Sequence, residues 1–202
     1  QAQKHQSGLH HIHDQATWVI PEGGANPEGL LGCAEIYQEA VTQNNNQHFD
    51  AVFLAQGTTT TSLGILASIP PTTQLFVVPV LKGFHSLQEM QALAEKAKQN
   101  PLTAHLHFPF EQVKVLDQHH HGGYAKTSKE LIDFINFFNQ TNQFPIEPTY
   151  TAKQFDGENM RIEAQIASGA YYPRAGVTLS QGDSDSGTRR RPGVAGPAAR
   201  AR

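Results

Sequence analysis

Two hydrophobic patterns alternate along the chain: short apolar runs, and longer segments with apolar positions every three or four residues. The runs predict buried strands and the longer segments predict amphipathic helices. The predicted strands cover Trp18 to Ile20, Ala51 to Ala55, Leu75 to Val80 and Val113 to Leu116. Because strands and helices alternate, the pattern predicts an α/β fold with a mostly parallel sheet flanked by helices.

The predicted helices carry clear start signals. They cover Glu28 to Gln43, the segment after the Ala51 to Ala55 strand as far as Ile69, Ser86 to Asn100, and a segment opening at Thr127 to Glu130. Asn26 before Pro27 predicts an N-cap and a first helical position. Thr127 with Glu130 predicts a capping box. The residues predicted to face the core are Leu30, Ala34, Tyr37 and Val41; Leu87, Met90 and Leu93; and Leu131, Phe134, Ile135 and Phe138.

A run of hydroxyl side chains follows the predicted strand Ala51 to Ala55. Gly57 is followed by Thr58, Thr59, Thr60, Thr61 and Ser62, where a helix should begin. Free N–H groups and the positive end of a helix dipole suit a phosphate, as do hydroxyls. The run is neither a Walker loop nor a Gly-x-Gly-x-x-Gly turn. It predicts either a phosphate-binding loop or an ordinary helix cap.

Composition narrows the class of protein. A chain of 202 residues with a net charge of -3 has room for one or two domains and disfavours nucleic acid or an anionic membrane as partner. No apolar stretch approaches the roughly 18 residues of a membrane span, and no signal peptide is recognisable. The single Cys33 allows no internal disulfide, which favours the cytoplasm, and its apolar neighbours predict a small buried filler.

Composition also divides the chain into three segments. Residues 1–14 are rich in Gln and His and are predicted to be disordered or partial, residues 15–174 form the predicted domain, and residues 175–202 form a divergent Arg-, Gly- and Pro-rich tail predicted to be disordered. All lysines lie at or before Lys153 and all arginines at or after Arg161. This exchange suggests a frameshift as one hypothesis. The missing initiator Met suggests a fragment.

Histidine is abundant, yet its spacing does not predict a metal site. The chain has no His-Glu-x-x-His motif, no Cys pair and no helical pair of histidines with a carboxylate. No metal is therefore expected. Tyr124 and Tyr150 stand out more, because both are polar-tipped aromatic residues on predicted loops, where binding residues concentrate. Each is read either as a binding or acid–base residue or as an aromatic plug.

Four motifs, in order, carry a resemblance to a known family. They are residues 19–32, Phe49 to Asp50 with the Gly57 loop, Gly122 to Tyr124, and Glu147 to Lys153, with a fainter match at residues 169–174. In this order they resemble the 1-aminocyclopropane-1-carboxylate (ACC) deaminase and D-cysteine desulfhydrase family over about residues 15 to 155. The resemblance implies a tryptophan-synthase-β-like fold and pyridoxal 5'-phosphate (PLP) as cofactor.

The resemblance also implies roles for individual residues. Gly57 to Thr61 match the loop that binds the PLP phosphate, and Thr151 matches the position facing the pyridine nitrogen, where Thr is typical of desulfhydrase-like members. Tyr124 and Tyr150 match the two active-site tyrosines, one of them a nucleophile or base. The implied reaction converts a small amino acid, ACC or D-cysteine, into a 2-oxo acid and ammonia. A homodimer is implied as well.

The chain lacks two motifs of the family. The family's Schiff-base lysine lies in a Gly-Asn-Lys motif, and neither this motif nor the Ser-Asn-His segment occurs here. Lys82 is a poor substitute, because an activated lysine needs a desolvated or cationic setting. The chain therefore resembles the C-terminal portion of such an enzyme, inactive alone. The alternatives are a non-catalytic α/β module that binds another phosphorylated ligand through Gly57 to Ser62, or a poorly folded product.

Overall fold

The computed structural model describes residues 20–157 and 177–179. The elements are α1 (Pro27–Gln43), β1 (Ala51–Gln56), α2 (Thr60–Leu66), β2 (Gln74–Pro79), α3 (Ser86–Lys98), β3 (Val113–Val115), α4 (Lys129–Thr141) and β4 (Val177–Leu179). Short 3₁₀ turns cover Glu22–Gly24, Phe110–Gln112 and Asp117–His119. Residues 151–157 are also helical. The predicted α/β class is confirmed.

The strands form one parallel sheet in the order β3-β2-β1-β4. In this register Leu54 of β1 lies opposite Val77 on one side and Leu179 on the other. Both inner strands are buried along nearly their whole length, as expected of a parallel sheet covered on both faces. All carboxyl ends therefore meet at one edge of the sheet, where ligands of such folds bind.

Helices α1 and α2 pack tightly against each other over the sheet. A Cβ added at Gly64 of α2 would overlap the Cβ of Cys33 on α1, so only glycine allows this approach. Leu30, Tyr37 and Leu63 are fully buried in the main core. Burying such a side chain contributes about 1.5–3 kcal/mol. This packing fixes the direction in which α2 leaves β1.

A second apolar cluster lies at the other end of the described chain. It joins α4 to the helical residues 151–157, and its buried members are Leu131, Phe138, Ile146 and Ala152. Phe134 and Ile135, predicted to face the core, are partly buried against it. The cluster therefore fixes the start of the last helix, which begins at the predicted site residue Thr151, directly after Tyr150.

The start signals of α1 and α4 were read to within one residue. Asn26 caps α1 as predicted, since its Oδ1 accepts the N–H of Gly29 at 2.7 Å. The capping-box prediction was wrong by one residue: Ser128, rather than Thr127, is the N-cap of α4. Leu87 was wrongly assigned to the core and is 39% exposed, because Ser86, Met90, Ala94 and Ala97 form the inward stripe of α3.

The predictions at the two ends of the chain fall largely outside the described residues. This holds for Trp18 and Val19 of the predicted first strand, while Ile20 is 79% exposed and not in a strand. The strand β4 was not predicted and falls within the segment 175–202, which was assigned to a disordered tail. This short run contains the β-prone Val177 and pairs in parallel with β1, which extends the sheet by one strand.

Candidate functional site

The predicted loop lies at the carboxyl edge of the sheet. Strand β1 ends at Gln56, a turn covers Gly57 to Thr59, and α2 begins at Thr60. Thr59 is the N-cap but makes no side-chain capping bond. The alternative, that the run is an ordinary helix cap, requires a hydrogen bond from the N-cap side chain to a backbone N–H of α2, and Thr59 does not make it. The Gly57 loop thus occupies the edge where α/β folds bind ligands.

The hydroxyls of the run do not all face the same way. Ser62 Oγ accepts from Gln56 Nε2 at 2.8 Å and donates to the Thr59 carbonyl at 2.9 Å. The hydroxyl of Thr61 is the partner of the Cys33 thiol. Thr60 Oγ1 is buried without a partner, as is Gln56 Oε1. Buried polar atoms are nearly always hydrogen-bonded, so these two atoms leave unused hydrogen-bonding capacity at the β1–α2 junction.

The two predicted tyrosines come together at this loop. A Cβ added at Gly57 would lie 3.1 Å from Cε1 of Tyr150, so the ring packs directly on the glycine. The rings of Tyr124 and Tyr150 pack edge to face with centroids 5.9 Å apart. The structure therefore unites the Gly57 loop with both tyrosines.

The environment of Tyr150 favours its neutral form. Burial, together with a hydrogen bond to Tyr124, raises the pKa of Tyr150 to about 12. The negative charges of Glu147 and Glu22 act in the same direction. A phenol with this pKa keeps its proton at neutral pH, so Tyr150 is suited to donate a hydrogen bond rather than to act as a base.

Thr151 is occupied with capping the helix that it begins. The carboxylate of Glu147 accepts the backbone N–H groups of Thr149, Tyr150 and Thr151 at 2.6 to 2.8 Å. In return, Thr151 Oγ1 accepts the N–H of Glu147 at 2.8 Å. Burial opposes ionisation of Glu147, but these bonds lower the pKa of its carboxyl. Contact of Thr151 with a pyridine nitrogen stays a prediction.

Two buried residues that hold this helix in place were missed by the sequence analysis. Lys153 is fully buried, and its Nζ donates to the Gly123 carbonyl at 2.7 Å, beside Tyr124. Gln154 accepts the N–H of Ala55 at 3.0 Å and donates to the carbonyl of Phe53 at 3.1 Å. The sequence shows Lys153 as the last residue of the motif Glu147 to Lys153, but it does not show that this lysine is buried.

The other candidate nucleophiles are poorly placed. Lys82 lies against Gly123 at the Tyr124 turn, but it is exposed and so lacks the desolvated setting of an activated lysine. Burial raises the pKa of the Cys33 thiol, which makes it less reactive. A cleft of about 60 Å³ between α1 and α3 has no residue of the Gly57 loop in its lining and is too small for a cofactor. The chemistry is therefore concentrated at the edge of the sheet.

The structure also forms a cluster that the sequence analysis did not connect. His119, His121 and Asp156 place their ligand atoms within 4.8 Å of one another. Asp156 comes from a distant helix, 35 positions after His121, so the spacing of histidines and carboxylates along the chain does not reveal the cluster. The expectation that no metal binds rested on that spacing alone.

Fold and site together define an α/β protein with a candidate ligand site at the carboxyl edge of a parallel sheet. No protein-family model matches the chain. Two curated relatives, from Thermotoga maritima and Pyrococcus furiosus, are both described as "Putative 1-aminocyclopropane-1-carboxylate deaminase". They are 28% and 27% identical over 146 residues, covering 71% and 69% of this chain. The chain is therefore similar, at low identity, to proteins described as putative ACC deaminases.

A solved structure shows the same fold. A crystal structure of an ACC deaminase homologue superposes with a TM-score of 0.63 at 21% identity, covering 81% of this chain and 48% of that protein. The chain spans less than half the length of the curated relatives, 46% and 43%. Among the described residues, none of the helices has the length and hydropathy needed to span a bilayer.

Proposed function

We propose that this chain forms the phosphate-binding part of a PLP-dependent site that converts a small amino acid of the ACC or D-cysteine type into a 2-oxo acid and ammonia. The observation that supports it is the convergence of the Gly57 loop, Tyr124 and Tyr150 at one edge of the sheet. The order of these residues along the chain is the order of the family motifs. The relatives' descriptions agree with this reading.

The residues at the edge fit the phosphate of such a cofactor. The orphan hydroxyl of Thr60 and the uncapped start of α2 offer donors for phosphate oxygens. Tyr150 approaches Gly57 so closely that a Cβ there would lie 3.1 Å from its ring and would have to displace it slightly. When bound, PLP supplies an electron sink for the bond cleavage. The neutral Tyr150 would hold a proton over the substrate, and Tyr124 would fix the ring of Tyr150.

Thr151 and Glu147 take a supporting part in this proposal. The Thr151 hydroxyl has one proton, which now points to the carbonyl or carboxylate of Glu147 at 3.2 to 3.4 Å. In the loaded site it would turn to the pyridine nitrogen, as the resemblance implies. The Glu147 carboxylate would keep the helix start capped meanwhile. No lysine of a Gly-Asn-Lys motif is present, so we expect no turnover from the 202-residue chain alone.

The test compares PLP with pyridoxal, which lacks the phosphate, in equilibrium dialysis of the full chain. We expect PLP to bind and pyridoxal to bind about tenfold more weakly or worse, since each charge-assisted hydrogen bond contributes about 1.5–3 kcal/mol. Thr60→Val should reduce the difference, and the exposed Thr42→Val should leave it unchanged. Equal retention of the two compounds would contradict the proposal.

A non-catalytic module for another phosphorylated ligand is the competing function. The same orphan hydroxyl of Thr60 would suit any phosphate, and the chain lacks the family's lysine motif. Thermal-shift measurements with nucleotides, sugar phosphates and PLP separate the two functions. Stabilisation by a nucleotide or sugar phosphate without stabilisation by PLP would favour the module. A homodimer and a cytoplasmic location stay predictions.

A further inference from the structure

Two imidazoles and one carboxylate converge on a single point beside the last helix. His119 Nδ1 lies 2.7 Å and His121 Nε2 lies 3.0 Å from the same oxygen, Oδ2 of Asp156. The three side chains are only 14–23% exposed, so they are shielded from bulk water but reachable. Three ligand atoms of this kind, with a fourth position left open, form a common zinc-binding arrangement.

One of the histidines is also oriented from its far side. His121 Nδ1 lies 2.9 Å from Ser128 Oγ, the N-cap of α4, which also accepts the N–H of Leu131. When Ser128 accepts the Nδ1 proton as well, Nε2 presents its lone pair toward Asp156. A lone pair facing a carboxylate oxygen needs a proton or a cation between them. Such outer hydrogen bonds are typical of histidines that bind metals.

We infer that His119 Nδ1, His121 Nε2 and Asp156 Oδ2 form a binding site for a divalent transition-metal cation, Zn²⁺ in the first place. Two nitrogens and one oxygen favour this class over Mg²⁺ or Ca²⁺, which prefer oxygen ligands. Ligand atoms around a tetrahedral zinc lie about 3.4 Å apart, given bonds of about 2.1 Å. To meet this spacing, Asp156 Oδ2 would have to lie about 0.7 Å farther from His119 Nδ1 and about 0.4 Å farther from His121 Nε2 than in the present hydrogen bonds of 2.7 and 3.0 Å.

The site would join the two segments that carry the paired tyrosines. His119 and His121 belong to the turn that leads to Tyr124, and Asp156 belongs to the helix that begins after Tyr150. A bound cation would therefore clamp the two tyrosines in their edge-to-face arrangement. Nothing in this inference depends on PLP, so a failure of the cofactor proposal would leave it untouched.

The N-terminal histidines complicate any measurement of metal binding. His5, His10, His11 and His13 lie outside the described residues and offer imidazoles of their own. The experiment therefore uses the full chain with these four residues changed to Ala. Zn²⁺ binding is measured by competition with a chromophoric chelator, and Co²⁺ is added as a spectroscopic probe, without PLP.

We expect this background chain to bind one Zn²⁺ per chain and to give Co²⁺ a visible spectrum of low coordination number. Asp156→Asn and His121→Ala should each weaken Zn²⁺ binding by at least about tenfold, the effect typical of a disturbed metal site. His107→Ala, an exposed histidine, should leave affinity unchanged. Circular dichroism checks that each variant is folded. If His121→Ala is unfolded, the isosteric Asp156→Asn alone tests the inference.

Two results would overturn the inference. The first is that Zn²⁺ binds only while the N-terminal histidines are present. The second is that folded Asp156→Asn binds Zn²⁺ as tightly as the background chain.

Discussion

A single hydroxyl, that of Thr60, shows how stability and binding oppose each other at the Gly57 loop. Its Oγ1 is buried and has no hydrogen-bond partner. An unsatisfied buried polar atom costs about 1–3 kcal/mol of stability. A ligand oxygen that accepts from this hydroxyl would recover that cost. The orphan atom is therefore better explained as a binding group than as a packing residue.

Replacing Thr60 by Val should stabilise the free chain by about 1 kcal/mol, because Val has the same shape without the unsatisfied hydroxyl. Urea unfolding measures the change. The exposed Thr42→Val on α1 is the control and should not stabilise, since its hydroxyl bonds only to the Gln38 carbonyl. A destabilised Thr60→Val would show that the hydroxyl is satisfied in the free chain, and the binding argument would lose its basis.

Tyr150 makes a residue-level prediction about alkaline pH. Its pKa is about 12 in the folded chain against the ordinary 10.0. The folded state therefore holds a proton that the unfolded state releases, and stability falls as pH rises from about 10 toward 12. Compared with Tyr150→Phe, the native chain should lose more of its unfolding free energy in this window. Denaturant unfolding across the pH series checks it, and parallel curves would contradict it.

At the scale of elements, local signals were predictable and tertiary ones were not. Asn26 before Pro27 specifies the start of α1 by short-range bonding alone, so it could be read directly. Which residues of α3 face the core depends on what the helix packs against. The small residues Ala94 and Ala97 are buried there, whereas Leu87, which was expected to be buried, is exposed. The three residues of β4 pair with β1, and without that partner so short a run does not predict a strand.

The start of the last helix makes a prediction at this scale. Lys153 is buried and bonded to the Gly123 carbonyl, and burial lowers its pKa from the ordinary 10.5, opposed only by the charge of Glu147. The unfolded state therefore binds the proton more tightly, and stability rises as pH approaches 10.5. Lys153→Met should lack this rise in unfolding free energy and should speed hydrogen exchange in the turn before Tyr124.

The control for Lys153→Met is Lys126→Met, which changes an exposed lysine near the same turn. It should keep both the pH dependence and the slow hydrogen exchange of the native chain. If Lys153→Met followed the native pH profile, the ammonium would not be desolvated, and its role in positioning the Tyr124 turn would be excluded.

At the scale of the whole molecule, the site is assembled from segments far apart in sequence. Tyr150 meets Gly57 across the chain, and Asp156 reaches His121 over 35 positions. Neither spacing nor periodicity encodes such contacts. The tyrosines stood out as loop residues but were assigned to one site only through a resemblance, and the histidine–aspartate cluster was missed. What holds these segments together is the attachment of the last helix to β1.

That attachment depends on Gln154, whose side chain bonds the backbone of Phe53 and Ala55 from about 100 residues away, at separations of 101 and 99. Gln154→Leu would remove both hydrogen bonds to buried backbone groups of the central strand, each loss costing about 1–3 kcal/mol. We expect a loss of unfolding free energy of about 2–6 kcal/mol and early release of residues 151–157 in native-state hydrogen exchange. The exposed Gln99→Leu should change neither. A Gln154→Leu variant as stable as the native chain, with its last helix still protected, would mean that the apolar cluster with α4 alone holds Tyr150 at the sheet edge.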